Sequence, residues 1–374
     1  MLTRFFYYSG HPAELTYLFQ MKRKFKHFRP SEERLDSVAK HLSDEAFCFE
    51  ALKKVSRSFS VVIQQLPAEL RAPVCLFYLI LRGLDTVEDD MKLEHDLKVE
   101  LLKNFATRMN QEAFTLEDVG DTQDYRDLML HFDKVLREYH KLDEKYRIVI
   151  TDITERMAFG MNKYFVGEVD SYEDWDDYCH YVAGLVGIGL SELFIASGIE
   201  KDARLKDESL SNHMGLLLQK TNIIRDFAED LDGDRLFWPK VAWVKHVDEP
   251  VKLQKDLKTG VVVLNELVVN ALSHVPHCLH YMSALQNYDV FRFCAIPQLM
   301  AIATLFELYD NQNVLLKNVK IRKGKTARYF MSGMNYEATK KEFKVFLEKL
   351  YNINGNLEIS KLIDKIEQHD EVGV

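Results

Sequence analysis

The feature that most constrains the fold of this chain is an acidic pattern, Asp-x-x-Glu-Asp, that occurs twice. It reads Asp85-Thr-Val-Glu-Asp89 and Asp226-Phe-Ala-Glu-Asp230, and each copy ends an apolar run with helical spacing. Positions i, i+3 and i+4 of a helix lie on one face. Each copy therefore predicts a helix that carries three carboxylates on one side.

Both predicted helices continue this polar stripe toward their N-termini. The stripe of the first helix contains Tyr78, Arg82, Asp85 and Asp89, with Glu88 beside it, and Leu76, Ile80 and Val87 face away. The stripe of the second contains Gln219, Asn222, Asp226, Glu229 and Asp230, opposite Leu217, Thr221, Ile224, Ala228 and Leu231. A single acidic stripe is most simply a solvated helix face. Its repetition favours a functional site.

No segment alternates apolar and polar residues with period two, so the sequence predicts an all-α protein. In helical bundles, metal and cofactor sites are built from side chains on facing helices. Two facing rows of carboxylates would repel each other unless cations lay between them, and hard oxygen ligands suit Mg²⁺. Because Mg²⁺ prefers to share its coordination sphere with phosphates, the pattern indicates a diphosphate substrate. The aromatic-rich apolar walls suggest a long hydrocarbon on that diphosphate.

Composition limits the remaining alternatives. The chain has 374 residues with only 16 Gly and 8 Pro and no flexible linker, which favours one large domain. A net charge of −9 argues against a nucleic-acid binder. Five scattered cysteines indicate buried thiols in a reducing compartment. We find no signal peptide, and apolar runs such as 182–190 fall short of the ~20 residues that span a bilayer, so we expect a soluble, non-secreted chain.

Three segments allow two interpretations each. The basic run 22–29 is either a solvated terminus or a contact for an anionic surface. Residues 56–60, Ser-Arg-Ser-Phe-Ser, are either an anion site or a helix cap. The basic segment 317–325 is either a solvated connection or a phosphate clamp. The sequence alone leaves each of these pairs open.

Other motifs favour structure over chemistry. The glycines at 184, 187 and 189 are not a phosphate-binding loop, because no strand precedes them. They indicate close helix packing on a helix with Tyr178, Val182, Leu185 and Gly189 on one face. His277 and His280 lack a second ligand pair at zinc spacing, so we expect ordinary packing.

Helical patterns are also expected at 125–165, at 257–285 and 288–309 with bends at Pro276 and Pro297, and at 334–352. Pro67 is placed at a helix start, and Pro73 is expected in the first turn of the helix that follows it. The polar tail after residue 352 is expected to be partly disordered.

Five ordered blocks of this chain resemble the signature blocks of eukaryotic squalene synthases. They begin at Asp85 (DTVEDD), Tyr178 (YCHYVAGLVG), Gln219 (QKTNIIRD), Phe293 (FCAIPQ) and Val319 (VKIRKG), and the similarity runs from about 47 to 351. The resemblance implies an all-α, single-domain isoprenoid-synthase bundle around a large central cavity. It implies an N-terminal extension at 1–35, a catalytic domain at 36–352 and a C-terminal tail at 353–374.

The resemblance also implies the reaction. Such enzymes condense two farnesyl diphosphates head to head to presqualene diphosphate and then reduce the rearranged cation with NADPH to squalene. The residues that match the family's Mg²⁺ ligands are Asp85, Glu88, Asp89, Asp226, Glu229 and Asp230. Tyr178 matches the catalytic tyrosine, and Phe59 and Phe293 match aromatic positions that stabilise carbocations.

The remaining implied residues bind substrate and cofactor. Those that match NADPH and phosphate positions are Arg57, Arg82, Arg225, Lys320 and Arg322. Those that would complete the substrate pocket are Ser56, Tyr78, Gln219, Asn222 and Arg235.

One departure from the family concerns the membrane. Family members usually end in a hydrophobic anchor on the cytoplasmic face of the endoplasmic reticulum, whereas this chain stops at Val374. We expect either a trimmed chain or peripheral membrane association, and a monomer. The closest rival is a phytoene or dehydrosqualene synthase, which shares the acidic motifs but uses no NADPH; the basic segment around Lys320 favours a squalene synthase. A non-catalytic helical scaffold is the alternative from another class.

Overall fold

A computed structural model describes residues 12–56, 59–111, 113–164, 169–233, 235–331 and 334–371. Within these ranges the chain forms helices and turns and no strand, so the all-α prediction is confirmed. The five cysteines are free and buried, as the sequence predicted.

The chain forms two compact units. The smaller unit comprises Phe25–Gly167 and Ile188–Lys201, and the larger comprises Met1–Lys24, Glu168–Gly187 and Asp202–Val374. Both units are assembled from separated stretches of chain, so their boundaries cannot be read from linkers. The division into an extension, a catalytic domain and a tail stays a prediction.

The smaller unit is built around the helix that carries the first acidic motif, Ala68–Asp89, which we call the first acidic helix. The other helices of this unit, apart from the one that enters it at Ile188, are Leu35–Ala39, Asp44–Ser56, Phe59–Ile63, His95–Arg108, Gln123–Leu130, Phe132–His140 and Glu144–Tyr164, with a 3₁₀ turn at Lys26–Phe28. Leu76, Ile80 and Val87 are buried, as their spacing predicted. Pro67 immediately precedes the helix as predicted, but Pro73 lies beyond the first turn, inside the helix.

The larger unit is built around the second acidic helix, Glu208–Asp232. The other helices of this unit are Pro12–Lys24, Tyr172–Cys179, Lys240–Trp243, Leu257–Leu272, Val275–Ser283, Tyr288–Leu308, Lys323–Met331, Tyr336–Asn354 and Leu357–Glu371, with 3₁₀ turns at Ala203–Lys206, Pro250–Gln254 and Gln312–Leu315. The second acidic helix packs against Leu257–Leu272, Val275–Ser283 and Tyr288–Leu308. Its predicted apolar face is buried at Leu217, Thr221, Ile224 and Ala228.

A π-helical turn interrupts the glycine-rich helix. The helix begins at Tyr172 behind a capping box of Ser171 and Asp174, passes through the turn His180–Gly184 and continues as Leu185–Ser197. A π turn adds a residue to the helical repeat. The regular spacing that placed Tyr178, Val182, Leu185 and Gly189 on one face therefore does not hold across it, and that prediction was wrong.

The close packing predicted for the glycines is confirmed. A Cβ atom at Gly187 would collide with the carbonyl oxygen of Ser211, and one at Gly215 would collide with the carbonyl of Ala183. The glycine-rich helix and the second acidic helix therefore touch through their backbones, which fixes the depth of the acidic helix within the larger unit.

Helices form at both ends of the described chain, including the C-terminal part that was expected to be partly disordered. The residues predicted to be a polar tail contain the helix Leu357–Glu371, in which Ile359, Leu362 and Ile366 are buried at helical spacing. The helix Pro12–Lys24 packs against Lys323–Met331. Its basic residues Lys22, Arg23 and Lys24 are exposed, in keeping with a solvated face.

The two prolines at which bends were predicted lie in different helical positions. Pro276 lies in the first turn of Val275–Ser283, so the predicted bend is a break between two helices, and Pro297 lies inside Tyr288–Leu308.

Three helical stretches are long and apolar enough to cross a membrane, by length and composition alone: Tyr172–Ser197, Leu257–Ser283 and Tyr288–Leu308. The expectation that apolar runs are too short was wrong, because each of these three stretches is longer than the most apolar run within it. Between 44% and 78% of these apolar stretches is buried within the protein.

Candidate functional site

An arginine organises the first acidic cluster, which we define as Tyr78, Arg82, Asp85, Glu88 and Asp89. Arg82 Nη1 lies 3.2 Å from Asp85 Oδ2, and Arg82 Nη2 donates to the Tyr78 hydroxyl at 3.5 Å. The guanidinium also lies 5.7 and 5.6 Å from the ring centres of Tyr78 and Tyr125. Stacking on two rings fixes a planar cation beside the first carboxylate of the motif.

Asp85 is electrostatically frustrated despite this partner. Burial raises its pKa to about 6, Arg82 opposes the increase, and the neighbouring Asp89 adds to it. The negative charge of Asp85 is therefore under-compensated by the protein. A cation placed next to Asp85 and Asp89 would relieve both the burial and the repulsion.

The last turn of the first acidic helix is fixed by buried charges. Lys98 is 3% exposed, and its Nζ donates to the carbonyl oxygen of Glu88 at 2.7 Å. Asp90 is 2% exposed and accepts from the backbone N–H groups of Gly120 and Lys92 at 2.7 and 2.8 Å. Although burial opposes ionisation, these N–H donors lower the pKa of Asp90. Lys98 and Asp90 thus hold the turn that presents Glu88 and Asp89.

Two of the predicted site residues before the first acidic helix, Ser56 and Phe59, are described by the structure. The Phe59 ring centre lies 6.2 Å from that of Tyr78, and Phe59 is 37% exposed, so part of this side chain is accessible from solvent. Ser56 is buried and its hydroxyl donates to the Leu52 carbonyl of its own helix. The local structure thus uses the Ser56 hydroxyl for helix bonding. Arg57 lies outside the described residues.

The second acidic cluster comprises Gln219, Asn222, Arg225, Asp226, Glu229 and Asp230. Arg225 forms a bidentate pair with Asp226, with Nε to Oδ1 at 2.8 Å and Nη2 to Oδ2 at 2.5 Å. Asn318 Nδ2 donates both to Asp226 Oδ1 and, at 3.1 Å, to Glu229 Oε2. Asp226 is therefore well supplied with donors, unlike Asp85.

The other members of the second acidic cluster share its polar stripe. Asp230 lies 3.9 Å from Arg235, whose backbone N–H donates to the Asp230 carbonyl at 2.9 Å. Gln219 is half-buried, and Asn222 and Glu229 are exposed. The structure therefore brings Arg235 to the C-terminal end of the predicted stripe.

Tyr178 is held by an aromatic partner. Its ring stacks on Phe237 with centroids 5.1 Å apart and planes 14° from parallel, and the residue is only 7% exposed. Phe293 is also buried, on the helix Tyr288–Leu308. Stacking leaves the Tyr178 phenol with little rotational freedom, as a proton-transfer group requires.

The basic segment 317–325 is engaged by acidic partners. Arg322 forms a bidentate pair with Glu14 of the N-terminal helix at 3.0 to 3.3 Å. Lys325 lies 3.7 Å from Glu307 and 4.6 Å from the ring centre of Phe346, whereas Lys320 is exposed. The guanidinium assigned to phosphate binding thus already holds a carboxylate.

His213 of the second acidic helix, away from the acidic end of that helix, forms a cluster with His274 and His277 at the start of Val275–Ser283. His213 Nδ1 lies 2.7 Å from His274 Nδ1, and its ring stacks on His277 with centroids 4.1 Å apart. Burial, together with the nearby His277 and Lys220, lowers the pKa of His213 to about 4. The stacking of His277 agrees with the prediction that this residue packs.

Known proteins of one family are similar to this chain over most of its length. A family model described as squalene/phytoene synthase matches residues 52–325. Squalene synthase BSS of Botryococcus braunii is 43% identical over 90% of this chain and 73% of its own length. Squalene synthase of Homo sapiens is 43% identical over 92% of this chain and 82% of its own length.

The chain belongs to the squalene/phytoene synthase family. The resemblance stated from the sequence blocks is thereby confirmed. A solved structure of TcSQS with the ligand E5700 superposes with a TM-score of 0.84 and 41% identity, covering 87% of this chain and 99% of that one. The isoprenoid-synthase fold expected from the sequence is therefore also confirmed.

The donor chemistry of this squalene/phytoene synthase fits Mg²⁺ shared with a substrate. Across the ranges that the structure describes, no group of three or more His, Cys, Asp or Glu residues is arranged to hold a metal by itself. Each acidic cluster instead supplies hard oxygen ligands, and the raised pKa of Asp85 marks a place where added positive charge is favourable. Mg²⁺ usually takes one or two carboxylates and completes its sphere with waters and phosphates.

Sequence reasoning missed several partners of the family's motifs. They are Asn318 on Asp226, Glu14 on Arg322, Phe237 on Tyr178, Tyr125 on Arg82 and Lys98 at the end of the first acidic helix. Asn318 stands out locally as a polar, uncharged residue inside the basic segment, but its pairing with Asp226 could not be predicted from that. The others are distant in sequence and required the fold.

Proposed function

We propose that this chain condenses two molecules of farnesyl diphosphate to presqualene diphosphate and converts that intermediate to squalene with Mg²⁺ and NADPH. The observation that carries the proposal is the likeness to relatives named squalene synthase over about nine-tenths of the chain, with both acidic motifs included. The function is that of an enzyme of isoprenoid and sterol biosynthesis.

The two acidic clusters would hold Mg²⁺ through Asp85, Glu88 and Asp89 and through Asp226, Glu229 and Asp230. When bound, Mg²⁺ neutralises charge that develops on a departing diphosphate. Arg82 and Arg225 hold Asp85 and Asp226 in place. The guanidinium of each arginine lies beside its own carboxylate, so it would add positive charge next to a diphosphate bound at that cluster.

Aromatic side chains would guide the cationic carbon chain. The partly exposed ring of Phe59 and the buried ring of Phe293 offer negative quadrupole faces, each worth about 0.5 to 2 kcal/mol to a cation. Tyr178 Oη would accept or relay the proton that is lost when the cyclopropane forms. Its stacking on Phe237 supports this role because it fixes the ring.

The NADPH-dependent reduction of the intermediate would use the basic segment 317–325. Lys320 is exposed and Arg322 is paired with a carboxylate, so one cation is free to meet a phosphate and the other must exchange its partner. Arg57, Ser56, Tyr78, Gln219, Asn222 and Arg235 would complete substrate and cofactor contacts. We further propose a monomer that works at the cytoplasmic face of the endoplasmic reticulum membrane.

Product analysis tests the proposal. Incubation with farnesyl diphosphate, Mg²⁺ and NADPH is expected to yield squalene, and omission of NADPH is expected to remove it. The same hydrocarbon with and without NADPH would identify a phytoene-type or dehydrosqualene-type enzyme instead. No diphosphate release under either condition would leave only the non-catalytic scaffold.

The double variant Lys320→Ala with Arg322→Ala tests the basic segment. Because these cations would serve only the second half-reaction, presqualene diphosphate should accumulate and squalene should fall by about 10²-fold, roughly the worth of two charge-assisted phosphate contacts. The measurement is the ratio of the two products by mass spectrometry. Normal squalene output would remove this segment from the cofactor site. Lys317→Ala, an exposed lysine of the same segment, is the control.

A further inference from the structure

Asn318 is the contact between the basic segment and the second acidic cluster. It follows the 3₁₀ turn Gln312–Leu315, precedes Lys320 by two residues, and donates through Nδ2 to Asp226 and Glu229. Carboxylates only accept hydrogen bonds, so the amide nitrogen must face them. One side chain of the segment therefore touches two of the carboxylates assigned to Mg²⁺.

The oxygens of Asp226 have little room for another partner. Oδ1 accepts from Arg225 Nε and from Asn318 Nδ2, and Oδ2 accepts from Arg225 Nη2. A carboxylate oxygen has two lone-pair directions, so both directions of Oδ1 are used. A divalent cation that binds Oδ1 must displace one of these donors.

Asn318 is the donor that is easier to displace. Arg225 grips both oxygens of Asp226 as a planar fork from the adjacent position of the same helix, and bidentate pairs are strong. Asn318 reaches Asp226 with one N–H from a separate segment, and its Oδ1 is buried without a hydrogen-bond partner. Release of Asn318 would let that oxygen meet water, which further favours its departure.

We propose that Asn318 is a positioning residue that couples the basic segment to the second acidic cluster. Its amide and a divalent cation with diphosphate compete for Asp226 and Glu229, so cation binding releases residues 316–321, up to Arg322, which is held by Glu14. The proposal rests on the proposed function, because it takes Asp226 and Glu229 as cation ligands. It orders the two half-reactions: Lys320 becomes mobile, and able to meet a phosphate-bearing cofactor, once the diphosphate is in place, whereas Arg322 keeps its pair with Glu14 until a phosphate replaces that carboxylate.

Trypsin cleavage at the Lys320–Ile321 bond measures this release. The intact protein is digested briefly with EDTA or with Mg²⁺ and inorganic pyrophosphate, and cleavage at this bond is followed by mass spectrometry. We expect cleavage to be about tenfold faster with Mg²⁺ and pyrophosphate, corresponding to one charge-assisted hydrogen bond. Asn318→Ala should be cleaved rapidly under both conditions.

Asn318→Asp gives a result that a purely structural role would not. Its added carboxylate repels Asp226 and Glu229 in EDTA and shares a cation with them in Mg²⁺, so the effect of Mg²⁺ should reverse and cleavage should slow. Asn313→Ala, at an exposed asparagine of the preceding turn that bonds to Asn311, should behave like the wild type. Equal cleavage of wild type and Asn318→Ala, or protection of all variants alike, would overturn the coupling.

Cation affinity is a second readout that does not depend on turnover. Removing the competing amide should make Asn318→Ala bind Mn²⁺ with pyrophosphate about tenfold more tightly by electron paramagnetic resonance. Unchanged affinity would contradict the competition. If the wild type makes squalene but shows no cation-dependent cleavage, the coupling fails and the proposed function stands. Cation-dependent cleavage without squalene would support the coupling and contradict the proposed function.

Discussion

The two acidic motifs share a sequence pattern and differ in how the protein treats their charge. In the smaller unit, Asp85 is short of positive partners and its pKa is raised to about 6 by burial and by Asp89. In the larger unit, Asp226 accepts three hydrogen bonds from Arg225 and Asn318. One motif would gain from an added cation, whereas the other must give up a donor if a cation is to bind Oδ1 of Asp226. Two motifs with the same residue spacing can therefore differ in their affinity for a cation.

The largest expected effect tests what the motifs have in common. Asp85→Ala and Asp226→Ala should each reduce diphosphate release from farnesyl diphosphate by about 10³-fold or more, because each removes an oxygen ligand of leaving-group activation. Release is measured with a coupled phosphate assay. Asp232→Ala, an exposed carboxylate two residues beyond the second motif, is the matched control. Diphosphate release at the wild-type rate in Asp226→Ala would refute the metal role of that residue.

A smaller effect is expected from Lys98, which holds the last turn of the first acidic helix. Lys98→Met removes the buried ammonium that binds the Glu88 carbonyl, and should lower the free energy of unfolding by about 2 kcal/mol. It should also raise the Mg²⁺ concentration needed for half-maximal activity, because Glu88 and Asp89 lose their support. Lys103→Met on the same helix is exposed and should change neither quantity. Urea unfolding that matches the wild type would show that Lys98 contributes nothing.

The smallest expected effect is a difference in how acid changes the contribution of each acidic helix to the free energy of unfolding. His213 on the second acidic helix has its pKa lowered from 6.5 to about 4, so the unfolded chain binds its proton first and stability is lost as the pH falls from about 6.5 toward 4. Asp85 has its pKa raised from 3.8 to about 6, so the folded protein binds its proton first and stability is gained as the pH falls through 6.

Urea unfolding at pH 7 and pH 5 measures both contributions. Acidification should cost His213→Gln about 2 kcal/mol less than it costs the wild type, and should cost Asp85→Asn about 1 kcal/mol more, because the gain from Asp85 is missing. The same loss in all three proteins would contradict the opposed signs.

Helix faces could be predicted from the sequence because burial follows a fixed period. Leu76, Ile80 and Val87 on one helix and Leu217, Ile224 and Ala228 on the other are buried as their spacing required. The same reasoning failed across the π turn His180–Gly184, because one extra residue in the repeat rotates everything beyond it. Periodicity therefore holds only as far as the hydrogen-bond pattern is regular.

Partners from distant segments could not be predicted by any local rule. The motif residues were identified from their type and spacing, but Asn318 and Glu14 reach Asp226 and Arg322 through the fold. The tail was mispredicted for another reason: its many charged residues hid the buried positions Ile359, Leu362 and Ile366. Overall polarity is a weaker guide than the spacing of a few apolar residues.

The helix Pro12–Lys24 has a consequence for the order in which the protein is made. Its Glu14 pairs with Arg322, which is 308 positions later in the chain. At a synthesis rate of about 5 to 20 residues per second, that partner emerges roughly 15 to 60 s after the helix sequence does. A helix of 13 residues is marginal in water by itself. This helix sequence thus leaves the ribosome long before its partner does, and it stays undocked while the residues between Glu14 and Arg322 are synthesised.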